Sequence, residues 1–141
     1  MITKIQSFTD VITNSSSTVF VMHESDAKYY ERLENTEGCI DIQPITMDWL
    51  INNPDEFEMV LDLLNIPYSE ITTYHKFNDY YGGYWEYPNE SVWESFLESH
   101  KEQIKEIFQD LYFVDIEDHF EDAYEVTESA RDDAKWYESR H

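Results

Sequence analysis

The sequence predicts an α+β fold, a small antiparallel sheet packed against several helices, with acidic helices in the C-terminal half. Three observations predict it. Short β-branched or alternating runs at Thr18 to Met22, Cys39 to Gln43 and Tyr112 to Ile116 lie between longer stretches with apolar residues at helical spacing. Hydrophobic residues are 41% and aromatic residues 16% of 141, enough apolar material for one core, so a single domain over residues 1–141 is expected. Acid is crowded on the last two helical patterns.

Taken in order, Ile2 to Phe8 reads as a short strand and residues 9–17 as a polar loop around Asn14-Ser15-Ser16-Ser17. With the strand Thr18 to Met22 they form a hairpin with a long connection. Ser25 is placed to cap a helix through Tyr29, Tyr30 and Leu33 that closes at Asn35 and Gly38. Cys39 to Gln43 alternates as a half-exposed strand. Thr46 caps a short helix carrying Trp49 and Leu50. Asn53 as N-cap, Pro54 at the first helical position and Glu56 at the capping-box position open the next helix. Its buried stripe is Phe57, Val60, Leu61 and Leu64, and Asn65 and Pro67 end it.

Ile71 to Phe77 then leads as a strand into Tyr80-Tyr81-Gly82-Gly83-Tyr84-Trp85. Two adjacent glycines suit a two-residue hairpin turn, since both accept positive φ. That register sets Asp79 opposite Glu86, an unfavourable pair, so a slipped register is expected instead. Large aromatic residues are used both in cores and as binding anchors, so Tyr81, Tyr84 and Trp85 are read either as core or as exposed anchors.

The strongest helical pattern follows. Ser91 and Glu94 form a capping box, and Trp93, Phe96, Leu97, Ile104, Ile107, Phe108 and Leu111 recur as one buried face. Along the same stretch Glu90, Glu94, Glu98, Glu102, Glu106 and Asp110 stand at every fourth position. On one helix, each step turns the ladder by about 40° and climbs about 6 Å, so the acids fan across the free arc. Like charges at i,i+4 destabilise a helix by a few tenths of a kcal/mol per pair. Only Lys101 and Lys105 are interleaved. Tyr112 to Ile116 reads as a buried strand or apolar connector. A last acidic helix is expected from Asp118 to the end, on Phe120, Ala123, Tyr124, Thr127, Ala130, Ala134 and Tyr137.

Charge bounds the function. Thirty-one Asp and Glu against nine Lys and Arg give a formal charge of -22. Such a field repels phosphate, which argues against direct binding to nucleic acid or an anionic membrane and selects a basic protein surface as partner. The one cysteine, Cys39, rules out an internal disulfide and reads as a small buried strand residue in a reducing cytosol. No stretch approaches the roughly 20 apolar residues of a membrane span, and Met1 to Phe8 lacks the apolar run of a signal peptide. The expected location is the cytoplasm of a bacterial host cell.

No phosphate loop, HExxH, CxxC or nucleophile elbow occurs, so no enzyme and no cofactor is expected. His119 lies near Asp115, Asp118 and Asp122, and a helical turn joining His119 to Asp122 would make a metal site. A stretch this acidic places carboxylates beside any histidine, so the metal-dependent enzyme is the weakest alternative. His100 falls on the apolar face of the ladder helix, as a core or boundary residue.

The opening Ser7-Phe8-Thr9-Asp10-Val11-Ile12-Thr13-Asn14-Ser15-Ser16-Ser17, followed by Thr18-Val19-Phe20-Val21, resembles the start of small proteins of bacterial phages and mobile elements. In composition, the acidic helices resemble the DNA-mimic inhibitors with which phages block restriction or CRISPR proteins. That resemblance implies an anti-defence inhibitor of anti-CRISPR or anti-restriction type. It would occupy a nucleic-acid-binding groove on a basic bacterial protein, with Glu90, Glu94, Glu98, Glu102, Glu106 and Asp110 as the charged face and Tyr81, Tyr84 and Trp85 as anchors. An immunity protein that neutralises a basic nuclease toxin is the alternative with the same charge.

Overall fold

The computed structural model describes residues 16–34, 36, 38–71, 75–78 and 84–140; the side chains of 75–78 and 84–87 lie outside that description. The architecture is α+β, as the sequence predicts. The chain divides into two compact units. One is built from Met1–Pro44 with Asp110–His141, the other from Ile45–Gln109. The predicted strand Ile2 to Phe8 and most of the loop after it lie outside the described residues.

Among the described residues the sheet unit holds four strands, β1 (Ser17–His23), β2 (Ile40–Pro44), β5 (Leu111–Glu117) and β6 (Trp136–Arg140), with order β2-β5-β1-β6. All pairings are antiparallel, and Phe20 stands opposite Val114 on one side and Tyr137 on the other. Strand periodicity sends Phe20, Met22, Val114 and Ile116 to one face. There they pack with Ala27 and Tyr30 of α1 (Glu24–Glu31) and Ala130 of α6 (Ala123–Asp133). Val19, Val21, Leu111 and Phe113 take the alternate positions and are also buried. The Tyr30 hydroxyl ties the two helices together, meeting Ser129 Oγ at 2.9 Å and donating to Asp133 Oδ2 at 2.8 Å. Burial is the main cause that pushes its pKa up; Ser129 opposes the rise and Asp133 adds to it.

Local chemistry explains the ends of these elements. His23 closes β1 and caps α1, its Nδ1 accepting from the Ser25 N–H at 3.3 Å, so Ser25 is the capped residue and not the predicted cap. Gly38 takes φ +79°, where a side chain is strained, and turns the chain into β2. The expected helix to the C-terminus is corrected: α6 starts at Ala123 and stops at Asp133, and β6 follows. Ala134 is already extended at ψ 146°, and the Lys135 N–H bonds the Val21 carbonyl at 2.7 Å, docking the chain on β1. Ala134 and Tyr137 continue a helical spacing, yet Trp136 and Tyr137 also have strong strand preference, and the open edge of β1 decides between them.

The other unit contains α2 (Met47–Asn52), α3 (Phe57–Leu64), a hairpin of β3 (His75–Asn78) and β4 (Tyr84–Tyr87), then α4 (Glu90–Ser99) and α5 (Lys101–Ile107). Thr46 caps α2 as predicted, accepting from the Trp49 N–H at 3.1 Å. Asn53 departs from prediction. Its side chain donates back to the Trp49 carbonyl at 2.7 Å, and residues Pro54–Glu56 form a 3-10 turn before α3. Asn65 ends α3 in the left-handed region at φ 59°. The core here is Leu50, Met59, Val60, Leu61, Trp93 and Leu97, all almost inaccessible, with the Trp93 indole N–H donating to the Leu50 carbonyl.

The hairpin register pairs Lys76 with Glu86 and Phe77 with Trp85, instead of setting Asp79 opposite Glu86. The expected slip takes place, and it replaces a like-charge pair by an opposite one at Glu86.

Candidate functional site

The acidic ladder is split. Asn89, rather than Ser91, caps α4, accepting from the Val92 N–H at 2.9 Å while Ser91 donates to it. Trp93, Phe96 and Leu97 then face inward and Glu90, Glu94 and Glu98 outward. At His100 the helix breaks. The Phe96 carbonyl meets the His100 N–H at 3.1 Å, the Ser99 hydroxyl at 3.0 Å and His100 Nδ1 at 2.9 Å. A carbonyl only accepts, so Nδ1 must donate, and side chains have entered the backbone ladder, a recognised cause of a kink. The His100 ring lies 4.3 Å from that of Phe96, which in turn stacks on Trp93 at 5.5 Å.

Glu102 and Glu106 continue on α5, both exposed, with Ile104 buried. Asp110 is not on a helix at all. It sits at φ 60° in the turn before β5, its carbonyl accepting from the Glu24 N–H at 2.8 Å, and belongs to the sheet unit. Aspartate tolerates that left-handed conformation better than most residues. All six predicted acids are thus exposed, but on three separate elements. Among the described residues one ion pair touches the ladder, Lys101 to Glu98 at 3.7 Å.

Tyr84 and Trp85 are in β4, opposite Asn78 and Phe77, and Tyr81 lies outside the described residues. Among the side chains described, the large apolar ones most open to solvent are Tyr29, Tyr68, Tyr137 and above all Tyr124, which is 75% exposed on α6. Around Tyr124 stand Glu121, Asp122 and Glu125, all exposed. Glu125 lies in the first turn of α6, where negative charge is favoured by the helix dipole, and Glu121 and Asp122 lie just before it, so part of this acid serves the helix itself. The sequence expected all three acids on the last helix, but only Glu125 lies on α6, with Glu121 and Asp122 in the turn before it, and nothing in the sequence singled out Tyr124.

Asp115, His119 and Asp122 do not converge. Asp115 is in β5 opposite Asp41 and Val19, half-buried, and burial is the main cause that raises its pKa; Ser17 and Arg140 oppose the rise, Glu117 and Asp41 add to it. His119 precedes α6 and turns toward Glu117, with Nε2 3.2 Å from Glu117 Oε1. The same Nε2 is 3.8 Å from Cys39 Sγ, a neighbour eighty positions away that no local spacing could reveal. Cys39 is buried, as read from the sequence. Among the described residues no group of three or more His, Cys, Asp and Glu is arranged to hold a metal ion. No helix there is long and apolar enough to cross a membrane.

No protein-family model matches this chain. Neither the curated proteins nor the solved structures offer a match.

Proposed function

We propose that this protein is an inhibitor of anti-CRISPR or anti-restriction type, from a phage or mobile element, that covers the nucleic-acid-binding surface of a basic bacterial protein. The carrying observation is the outward display of Glu90, Glu94, Glu98, Glu102 and Glu106 on α4 and α5, with Lys101 forming the one described ion pair on that face. Carboxylates would stand in for phosphates against Lys and Arg, giving fast, salt-sensitive association. Each exposed acid next to another of like sign costs helix stability, and a bound basic surface turns that cost into attraction. Tyr84 and Trp85 are the proposed anchors that slow dissociation.

The test is capture of partners from bacterial lysate on immobilised protein at low and at high salt, followed by displacement with duplex DNA or guide RNA. A nucleic-acid-binding protein released by either competitor supports the reading. If captured proteins are retained equally at molar salt and ignore both competitors, charge mimicry is wrong.

A further inference from the structure

α6 rests on the sheet through Ala123 and Ala130, both buried, and turns its opposite arc outward. Tyr124 stands on that arc with 75% of its surface open, although a tyrosine ring is among the larger apolar bodies a chain can bury. Glu125 is its neighbour, and Glu128 lies one helical turn further on, within side-chain reach. Glu121 and Asp122 come in the turn just before the helix. The helix dipole accounts for acid in the first turn, but not for Glu128 in the middle of the helix, nor for an exposed ring. From Glu117 to Asp133 the chain carries eight carboxylates and one arginine.

That arginine shows what the combination does. Arg131 Nη1 lies 2.9 Å from Glu128 Oε2, and the guanidinium carbon sits 5.1 Å from the centre of the Tyr137 ring. The chain thus holds one guanidinium between a carboxylate and a tyrosine face. A guanidinium is planar, so it stacks on a ring while donating in its own plane to carboxylates, which an ammonium does less well. Tyr124 with Glu121, Asp122 and Glu125 offers the same two kinds of partner. Among the described residues no ion pair engages those three acids, and no cation lies over the Tyr124 ring. We infer that this face of α6 is a docking surface for an arginine side chain of a basic partner protein. Tyrosine and arginine are both enriched among the residues that dominate binding energy. The charge of -22 repels nucleic acid, phosphorylated peptides and a second copy of the chain alike. The inference rests on the proposed function only for the basic character of the partner, since α4 and α5 belong to the other compact unit.

The experiment titrates the full chain with an acetylated tetra-arginine amide and with its tetra-lysine counterpart, followed by calorimetry and by the NMR signals of the tyrosine rings. Both peptides carry the same charge, so diffuse attraction to the acidic chain cancels in the ratio of their affinities. The parent should prefer the arginine peptide, and that peptide should shift the Tyr124 ring signals. The preference should fall about threefold in Tyr124→Ala. It should persist in Tyr124→Phe, which keeps the ring, and in Tyr29→Ala, which removes another exposed tyrosine. Tyr124→Ala should melt near the parent, because the side chain it removes is exposed. Unmoved Tyr124 ring signals in the parent, or a preference unchanged in Tyr124→Ala, overturn the assignment. Self-association of the parent that Tyr124→Ala abolishes overturns it too, giving the face to a second copy. The Gln variant of Glu94, Glu98 and Glu102 separates this inference from the inhibitor role. A preference lost there and kept in Tyr124→Ala moves the arginine site to the ladder, so the assignment to α6 falls while the inhibitor role stands.

Discussion

Neutralising Glu94, Glu98 and Glu102 to Gln separates the two costs carried by the ladder. On an unbroken helix these changes would relieve four like-charge pairs, but the break at His100 removes Glu98–Glu102 from helical spacing. Three pairs remain, Glu90–Glu94 and Glu94–Glu98 on α4 and Glu102–Glu106 on α5. At about 0.2–0.5 kcal/mol each, their relief stabilises by roughly 0.6–1.5 kcal/mol. The exposed Lys101–Glu98 pair at 3.7 Å is lost, which returns about 0.2–0.5 kcal/mol. Gln and Glu have similar helix propensity, so the net gain is about 0.5–1 kcal/mol, or roughly 1–4 °C in melting temperature for a chain of this length. Calorimetry at low salt measures it. At molar salt, where the screening length is about 3 Å, the difference between parent and variant should collapse. The same variant should bind its basic partner about tenfold or more weakly at low salt. A melting temperature several degrees below the parent would refute the reasoning on stability. Unchanged binding at low salt would refute the reasoning on function.

Tyr30→Phe should cost about 1–2 kcal/mol at pH 8, since it removes the hydroxyl shared with Ser129 and Asp133. Because the folded-state pKa is raised, Tyr30's contribution is complete below the ordinary tyrosine value of 10.0 and is lost as pH climbs through the folded one; urea midpoints of parent and variant should therefore converge in strong alkali. Asp115→Asn should raise the melting temperature at neutral pH by a degree or so, roughly the scale of a surface change. The raised carboxyl is penalised only while charged, so that gain should shrink as pH falls toward the ordinary value of 3.8, and a gain that grows in acid would contradict the assignment. Tyr84→Ala and Trp85→Ala should speed dissociation from the partner with little change in salt dependence if they are anchors. Unfolding of both variants well below the parent would make the hairpin structural, since truncating a core aromatic costs about 3–5 kcal/mol.

Signals confined to a few neighbouring residues were legible in the sequence. Thr46 before α2, the left-handed Asn65 after α3 and the alternation of Ile40 and Ile42 needed nothing beyond local chemistry. Caps with two adjacent candidates were misassigned by a residue or two, as with His23 against Ser25 and Asn89 against Ser91, because both residues of each pair can accept. The break at His100 was hidden, since Trp93, Phe96 and Leu97 before it and Ile104 and Phe108 after it stay buried and keep the periodic pattern intact. What depended on distant partners was out of reach. Residues Trp136–Arg140 become a strand only because β1 offers an edge, and Cys39 meets His119 only because β2 pairs with β5.

The connectivity of the sheet has a consequence for how the chain is made. β1 and β2 are synthesised before β5 and β6, yet among the described residues β1 pairs only with β5 and β6, and β2 only with β5. Between them in the chain lies Ile45–Gln109, which forms a unit of its own. On the ribosome, the helices of that inserted stretch can find their contacts as soon as Phe108 has emerged. The first strands, with Val19, Phe20, Val21 and Met22 uncovered, must wait for Leu111–Glu117 and then for Trp136–Arg140. Pairings of such long sequence separation are slow to form, and an unpaired apolar strand is exposed to aggregation meanwhile. During that interval the strong like charge of the chain keeps nascent copies apart, a protection that acts before there is any folded surface to present.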